Sequence, residues 1–219
     1  MTTPRSRIAL TIFVISTVAA LAPVANAYMQ KLHSEEVQEA FSLGQSTDLD
    51  TVKQFFEKYS QQLDCPPGGP CVSSIEFRTP FEQVATRSRE RGSNYTEQDA
   101  EKDYRALPNV VSLHVFVLYP LDFSNDDSDY FATGQPVGDD SGYSFYGYRI
   151  RVSQGHSVKP AQIRGKPFYY GGSQCSYCGG EEIILDFNPS ELETDMTHIE
   201  ILTPDGQTVK AEFNLRDLK

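Results

Sequence analysis

The mature part of the chain begins with helical periodicity and ends with strand periodicity, and the change falls near residue 108. Val37, Ala40 and Phe41 recur as one face of a first amphipathic helix. Ser34 is placed to cap it, Glu35 and Glu36 lie in its first turn where the helix dipole favours negative charge, and Gly44 is placed to end it. A second helix starts at Asp48 or Asp50, with Leu49, Val52, Phe55, Phe56, Tyr59 and Leu63 at helical spacing. A short strand with Ile75 and Phe77 on one face then runs into Thr79-Pro80-Phe81-Glu82. That is a strong helix start, with threonine at the cap, proline at the first helical position and glutamate three residues after the cap. Phe81, Val84, Ala85 and Ser88 face inward and Gly92 stops the helix. Thr96 and Asp99 open the next helix, with Tyr95 and Ala100 placed as a hydrophobic staple, and Pro108 closes it.

From there the period is two. Val111, Leu113, Val115, Val117 and Tyr119 form the longest apolar alternation in the chain. Tyr146, Tyr148, Ile150 and Val152 alternate in the same way. Residues 168–170, 182–187 and 198–203 are further short strands. Pro204-Asp205-Gly206 turns Ile199 and Ile201 back onto Val209, Ala211 and Phe213 as a hairpin. Seven or eight short strands at this spacing predict a mainly β, α+β fold. It is an antiparallel β-sandwich-like domain over residues 65–219, with a two-helix insertion at 80–106 between its first and second strands. An N-terminal helical pair over residues 28–64 precedes it.

The first 27 residues carry no part of that pattern. Arg5 and Arg7 precede an apolar run from Ile8 to Leu21, and Ala25-Asn26-Ala27 is an A-x-A cleavage site. The expectation is a signal peptide, a mature chain from Tyr28 and a secreted or periplasmic location. After cleavage no later segment is apolar enough to span a bilayer. The leader holds two of the 19 basic residues and none of the 30 acidic ones, so its removal moves the formal charge from −11 to −13. That charge repels nucleic acid and anionic lipid.

Export changes how the four cysteines read. Cys65, Cys71, Cys175 and Cys178 are an even set in an oxidising compartment, which favours disulfides. Cys65 and Cys71 flank the tight loop PPGGP, and Cys175-Ser-Tyr-Cys178 lies between two glycine pairs. The alternative is a four-thiolate zinc site, since Cys-Ser-Tyr-Cys-Gly-Gly resembles a zinc knuckle. No cofactor is required by the sequence, and zinc or calcium are the two metals it admits. For calcium the candidate ligands are Asp122, Asn125, Asp127 and Asp129 in the acidic loop 122–142. The EF-hand spacing fails there, with Asp127 where glycine belongs, and a solvated loop is the preferred reading.

No catalytic constellation is legible. Gly155-His156-Ser157 begins like a nucleophile elbow but lacks the closing glycine. His114 and His198 lie in strands, where a hydrogen-bonded structural histidine is the default. Carboxylate pairs for glycoside hydrolysis meet only in space and leave no local signature. Aromatic residues offer a binding surface instead: with Tyr146 and Tyr148 turned to the core, Tyr143 and Phe145 would face outward beside Arg149 and Arg151. The partner would be a protein or a carbohydrate.

The run I-x-F-x-TP-F-E-x-V, followed by Y-T-x-Q-x-A-E-x-D-Y-R-A-x-P-N and by LTPDGQTVKAEFNL, resembles uncharacterised exported bacterial proteins; the lead-in EAFSLG and FFEKY fits the same picture. The resemblance covers most of the mature chain. It implies export and a shared architecture, and carries over no functional residue. The expected function is non-enzymatic binding or accessory work at the cell envelope, with an envelope hydrolase or a zinc- or calcium-stabilised module as the alternative.

Overall fold

The computed structural model describes residues 31–65, 71–118, 135–136, 142–145, 147–169 and 178–219. The leader, the acidic-loop positions Asp122, Asn125, Asp127 and Asp129, and Cys175 lie outside the described residues. Two helices open the described chain, α1 (Ser34–Gln45) and α2 (Leu49–Glu57), followed by strands β1 (Ser60–Gln62) and β2 (Cys71–Arg78). Helices α3 (Pro80–Arg91) and α4 (Glu97–Ala106) come next, and then β3 (Val111–Leu118). The remaining strands are β4 (Gln135–Pro136), β5 (Tyr143–Phe145), β6 (Tyr148–Ser153), β7 (Gln162–Tyr169), β8 (Cys178–Phe187), β9 (Met196–Leu202) and β10 (Thr208–Asn214).

These strands make two antiparallel sheets of five, ordered β1-β2-β3-β8-β7 and β10-β9-β6-β5-β4. One face of each is apolar at every second residue. Ile75 and Phe77, Leu113 and Val115, and Ile183 and Leu185 from the first sheet share a core with Tyr148, Ile150, Ile199, Ile201 and Phe213 from the second. Phe77 and Phe213 meet edge to face across the layers, 5.0 Å between ring centroids. The fold is therefore α+β and mainly β, a two-sheet sandwich.

The helices build a second, smaller core. Val37 and Ala40 of α1 pack on Phe81, Val84 and Ala85 of α3 and on Ala100 of α4, with Phe55 of α2 touching both cores. The caps act as their residue types require. Thr79 Oγ1 accepts from the Glu82 N–H at 3.2 Å, Asp48 from Thr51 N–H at 3.3 Å, and Thr96 and Asp99 form a reciprocal box closed under Tyr95 and Ala100.

Four local readings need correction. Residue His33, not Ser34, caps α1, its N–H donating to Glu36 Oε2 at 2.6 Å. Gly44 lies inside α1, which continues to Gln45. Helix α2 stops at Glu57, and the next residues form β1 because they are bonded to the neighbouring strand: Phe77 N–H donates to Tyr59 O at 2.8 Å and Leu63 N–H to Ser73 O at 2.9 Å. Residues 58–64 are thus not helical, and the helical insertion falls between the second and third strands. Tyr59 and Leu63 still reach the sandwich core, which is why their spacing imitates a longer helix.

Tyr148 is fully buried in the sandwich, and its hydroxyl has no hydrogen-bond partner among the described residues. Burial pushes its pKa up, with the nearby Asp205 charge acting in the same direction. Because a buried polar group without a partner costs about 1–3 kcal/mol, Tyr148→Phe is expected to raise the thermal midpoint by a few degrees. A fall in the midpoint would show that the hydroxyl is bonded in solution.

Candidate functional site

Strand β2 alternates as it must in a sandwich, Ile75 and Phe77 inward, Glu76 and Arg78 outward. The Thr79-Pro80 corner then starts α3, and Glu82, Thr86 and Glu90, each four residues apart, fall on one face of that helix. The end of α2 and the start of β1 bring up Phe56, Tyr59 and Ser60. Together these side chains line a cleft of about 230 Å³ between α3 and the edge of the first sheet.

Glu82 is the residue out of place there. It stands at the third position of α3, where the helix dipole favours an ionised carboxylate, yet it is 6 % exposed. Its Oε1 accepts from Thr86 Oγ1 at 2.6 Å, and its Oε2 has no hydrogen-bond partner among the described residues. The returning half of a capping box, expected from its spacing to Thr79, is not among its bonds. Burial pushes its pKa from 4.5 up to about 7; the Thr86 bond and Arg78 pull it down, while Glu76 and Glu90 push it further up. Burial wins because Arg78 is already engaged.

Arg78 joins the cleft to the outer face of the first sheet. Its guanidinium lies 3.2 Å from Glu76 and 3.6 Å from Glu182. Sheet register places Glu76, His114, Ile184 and Arg164 side by side in one row, with Phe116, Glu182 and Lys166 in the next. His114 Nδ1 and Glu182 Oε1 approach to 2.6 Å, both residues buried. Burial lowers the His114 pKa, and the His114 hydrogen bond lowers that of Glu182. The pair is thus neutral imidazole and carboxylate, with Nδ1–H donating and Nε2 the acceptor. In the row on the other side of His114, Asp186 accepts from Ser112 at 2.6 Å and also from Arg164, in the His114 row, at 3.0 Å. His114 is a hydrogen-bonded strand histidine, as its position suggests.

The cysteines and the aromatic patch fall elsewhere. Cys65 and Cys71 are joined in a disulfide with Cα atoms 5.6 Å apart, closing the loop before β2. This removes both from the four-thiolate zinc set. Cys178 begins β8 and its side chain, like Cys175, is not among those described. Among the described residues no group of three or more His, Cys, Asp or Glu side chains could hold a metal ion. Arg149 and Arg151 are exposed on the outer face of β6, but Tyr143 is half-buried and pairs with Ile150, and Phe145 pairs with Tyr148. A directly paired residue shares its partner's face. Tyr143 therefore lies on the core-side register, away from the two arginines, and the expected four-residue patch is divided between the faces of the sheet. Two arginines of the helical insertion, Arg87 and Arg91, reach Asp103 at 3.4 and 3.2 Å, and Tyr95 donates to the same carboxylate.

Among known proteins, no family model matches the chain and no curated protein matches it significantly.

Proposed function

We propose that this chain is an exported, non-enzymatic binding protein of the cell envelope, and that the cleft between α3 and β2 is its binding site. The observation that carries the reading is Glu82, a buried carboxyl with an unpartnered oxygen in a cleft that already holds Glu76 and Glu90. Leaving such an oxygen unpaired is costly in a folded protein, and a binding site is where that cost is offset by a ligand. Export is supported by the leader, by the resemblance to exported bacterial proteins and by the Cys65–Cys71 disulfide. Among the described residues no helix is long and apolar enough to cross a membrane.

The runner-up, an envelope hydrolase, draws on the same residue, because a carboxyl that keeps its proton near neutrality can act as a general acid. Binding is preferred because Arg78, the one cation lining the cleft among the described residues, is held by carboxylates on both sides and is not free to stabilise a developing charge.

The test is made in cells producing the full chain, with a photo-crosslinking phenylalanine derivative at Ser60 on the cleft or at Lys210 on the outer face of β10. The expected result is a mature form starting at Tyr28 outside the cytoplasm, with one discrete adduct from position 60 and none from position 210. An uncleaved cytoplasmic product would remove the export half of the proposal. Equal adducts from both positions, or none from either, would remove the binding half.

A further inference from the structure

Resting on the binding reading above, the chemistry of the cleft also selects its ligand. We propose that it receives one lysine or arginine side chain of a partner protein, the cationic head set among Glu82, Glu76 and Glu90 and the methylene stem against Phe56.

Size sets the first limit. Pockets for whole small molecules run to about 300–1,000 Å³, whereas this cleft has about 230 Å³, room for the end of one side chain and a few waters. Charge sets the second. The charged groups around Glu82 are Glu76 and Arg78 on β2 and Glu90 on its own helix. Tyr59 and Ser60 bring no charge from the α2–β1 side, Tyr59 being pushed up to about 12 by burial. Lys219 touches Tyr59 and Thr79 only through its backbone and sends its ammonium to Glu39. Behind Arg78 stands Glu182, served also by Lys166 at 3.8 Å and by His114. Arg78 is thus shared between Glu76 and Glu182, and among the described residues a ligand anion would meet three glutamates and no free cation. A ligand cation would meet Glu82, whose Oε2 lacks a donor and is closed to solvent in this structure, so the incoming head must uncover it.

Apolar surface sets the third limit. Phe56 is half-buried at the cleft and Phe77 and Tyr59 form its closed floor. Aromatic walls suit an alkyl stem ending in a cation, which gains both burial and a cation–π contact. An amino sugar offers the same ammonium without the stem and serves as a comparison.

Occupancy has a proton consequence. Glu82 accepts a cation fully only as a carboxylate, so the cation must displace its proton, and capture strengthens as pH rises through the value near 7 at which Glu82 ionises.

The experiment is an amide-resolved NMR titration of the mature protein, at about 0.15 M salt to screen its acidic surface. The probes are N-acetyl-lysine methylamide, N-acetyl-arginine methylamide, the neutral norleucine analogue, the anionic glutamate analogue and glucosamine. The lysine or arginine probe is expected to shift the amides of Ser60, Glu76, Glu82, Thr86 and Glu90, with at least roughly tenfold tighter binding at pH 8 than at pH 5.5. Glu82→Gln keeps a group that Thr86 can bond, and should abolish that pH dependence and weaken binding at pH 8 at least fivefold. Glu90→Gln, at an exposed position, should weaken it less, which guards against misfolding of the first variant. Shifts spread over Glu200 and Glu212 and unchanged in Glu82→Gln would overturn the proposal. Binding of the norleucine or glutamate analogue in the cleft, or of glucosamine as tightly as lysine, would overturn the ligand class and leave the binding reading standing. No shift in the cleft with any probe would bring down both.

Discussion

Gly44→Ala is expected to cost about 2–4 kcal/mol, although alanine is the better helix former by about 1 kcal/mol. Gly44 lies in the last turn of α1, and a Cβ there would sit 2.2 Å from the Ala85 carbonyl oxygen and 2.7 Å from Ser88 Cβ. The first neighbour is helix backbone, which cannot rotate away. The two helices would have to separate by most of an ångström where they touch closely. That movement strains three bonds clustered there: Gln45 Nε2 donates to Ser88 O at 2.7 Å and to Gly92 O at 2.8 Å, and Ser88 Oγ donates to Phe41 O at 2.8 Å. Steric displacement therefore outweighs propensity. For a chain of this size the thermal midpoint should fall by roughly 5–15 °C, and amide exchange should quicken first along α1. Gly92→Ala is the matching control. Gly92 has φ +60° and ψ −151°, a region that glycine alone adopts readily, and a Cβ added to it would meet nothing within 4 Å, so only backbone strain of about 1–3 kcal/mol is added. If Gly44→Ala proved as stable as the parent, the close α1–α3 contact would not exist in solution.

The same glycine shows how far the sequence can be read. Its position near the end of an amphipathic stretch matches a helix stop, but its role is a contact with Ala85, far along the chain, which no local pattern contains. Caps were legible because they are local. Thr79, Thr96 and Asp48 each act within three residues of themselves, and all three do in the structure what their types suggest. The sandwich was legible for a similar reason, since alternation with a period of two fixes which residues share a face. That rule holds only while a strand is unbroken. Residues 143–152 read as one alternation place Tyr143 and Phe145 with Arg149 and Arg151. The break between β5 and β6 makes them two strands instead, paired 143 to 150 and 145 to 148, and the parity reverses.

The cleft is illegible for a different reason. Glu82 fits a capping box, and nothing in that fit signals burial. What distinguishes it is tertiary: the end of α2 folds over it, and β2 aims Arg78 past it to Glu182, on a strand far along the sequence. One signal is present, namely Glu82, Thr86 and Glu90 at spacing four, a polar stripe beside the buried Phe81, Ala85 and Ser88. It identifies a helix face. It cannot say what lies against that face.

Glu82 also leads to the second large effect, a pH dependence of stability that should vanish with one substitution. Its pKa rises from 4.5 to about 7 on folding, so the folded chain holds that proton more tightly than the unfolded chain. The associated stability is fully present below pH 4.5, declines as pH rises, and is lost above about 7. Across that window one proton accounts for about 3 kcal/mol, at about 1.4 kcal/mol per pH unit. Other groups act in the opposite sense. His114, lowered by burial, withdraws stability as pH falls below its ordinary 6.5, and Glu182, lowered by its bond to His114, does so as pH falls below 4.5. The total curve of the parent protein is therefore a poor witness. The difference between parent and Glu82→Gln is a better one, because His114 and Glu182 titrate alike in both and cancel. Denaturant unfolding at a series of pH values should show Glu82→Gln gaining on the parent by about 3 kcal/mol between about pH 4.5 and 7.5, with unchanged m-values. Glutamine cannot titrate, so the sign of the trend does not depend on how well it packs. A difference that stays flat across this range would mean that Glu82 is ionised in the folded protein. Its Oε2 would then already have a donor, and that oxygen would not be left for a cation.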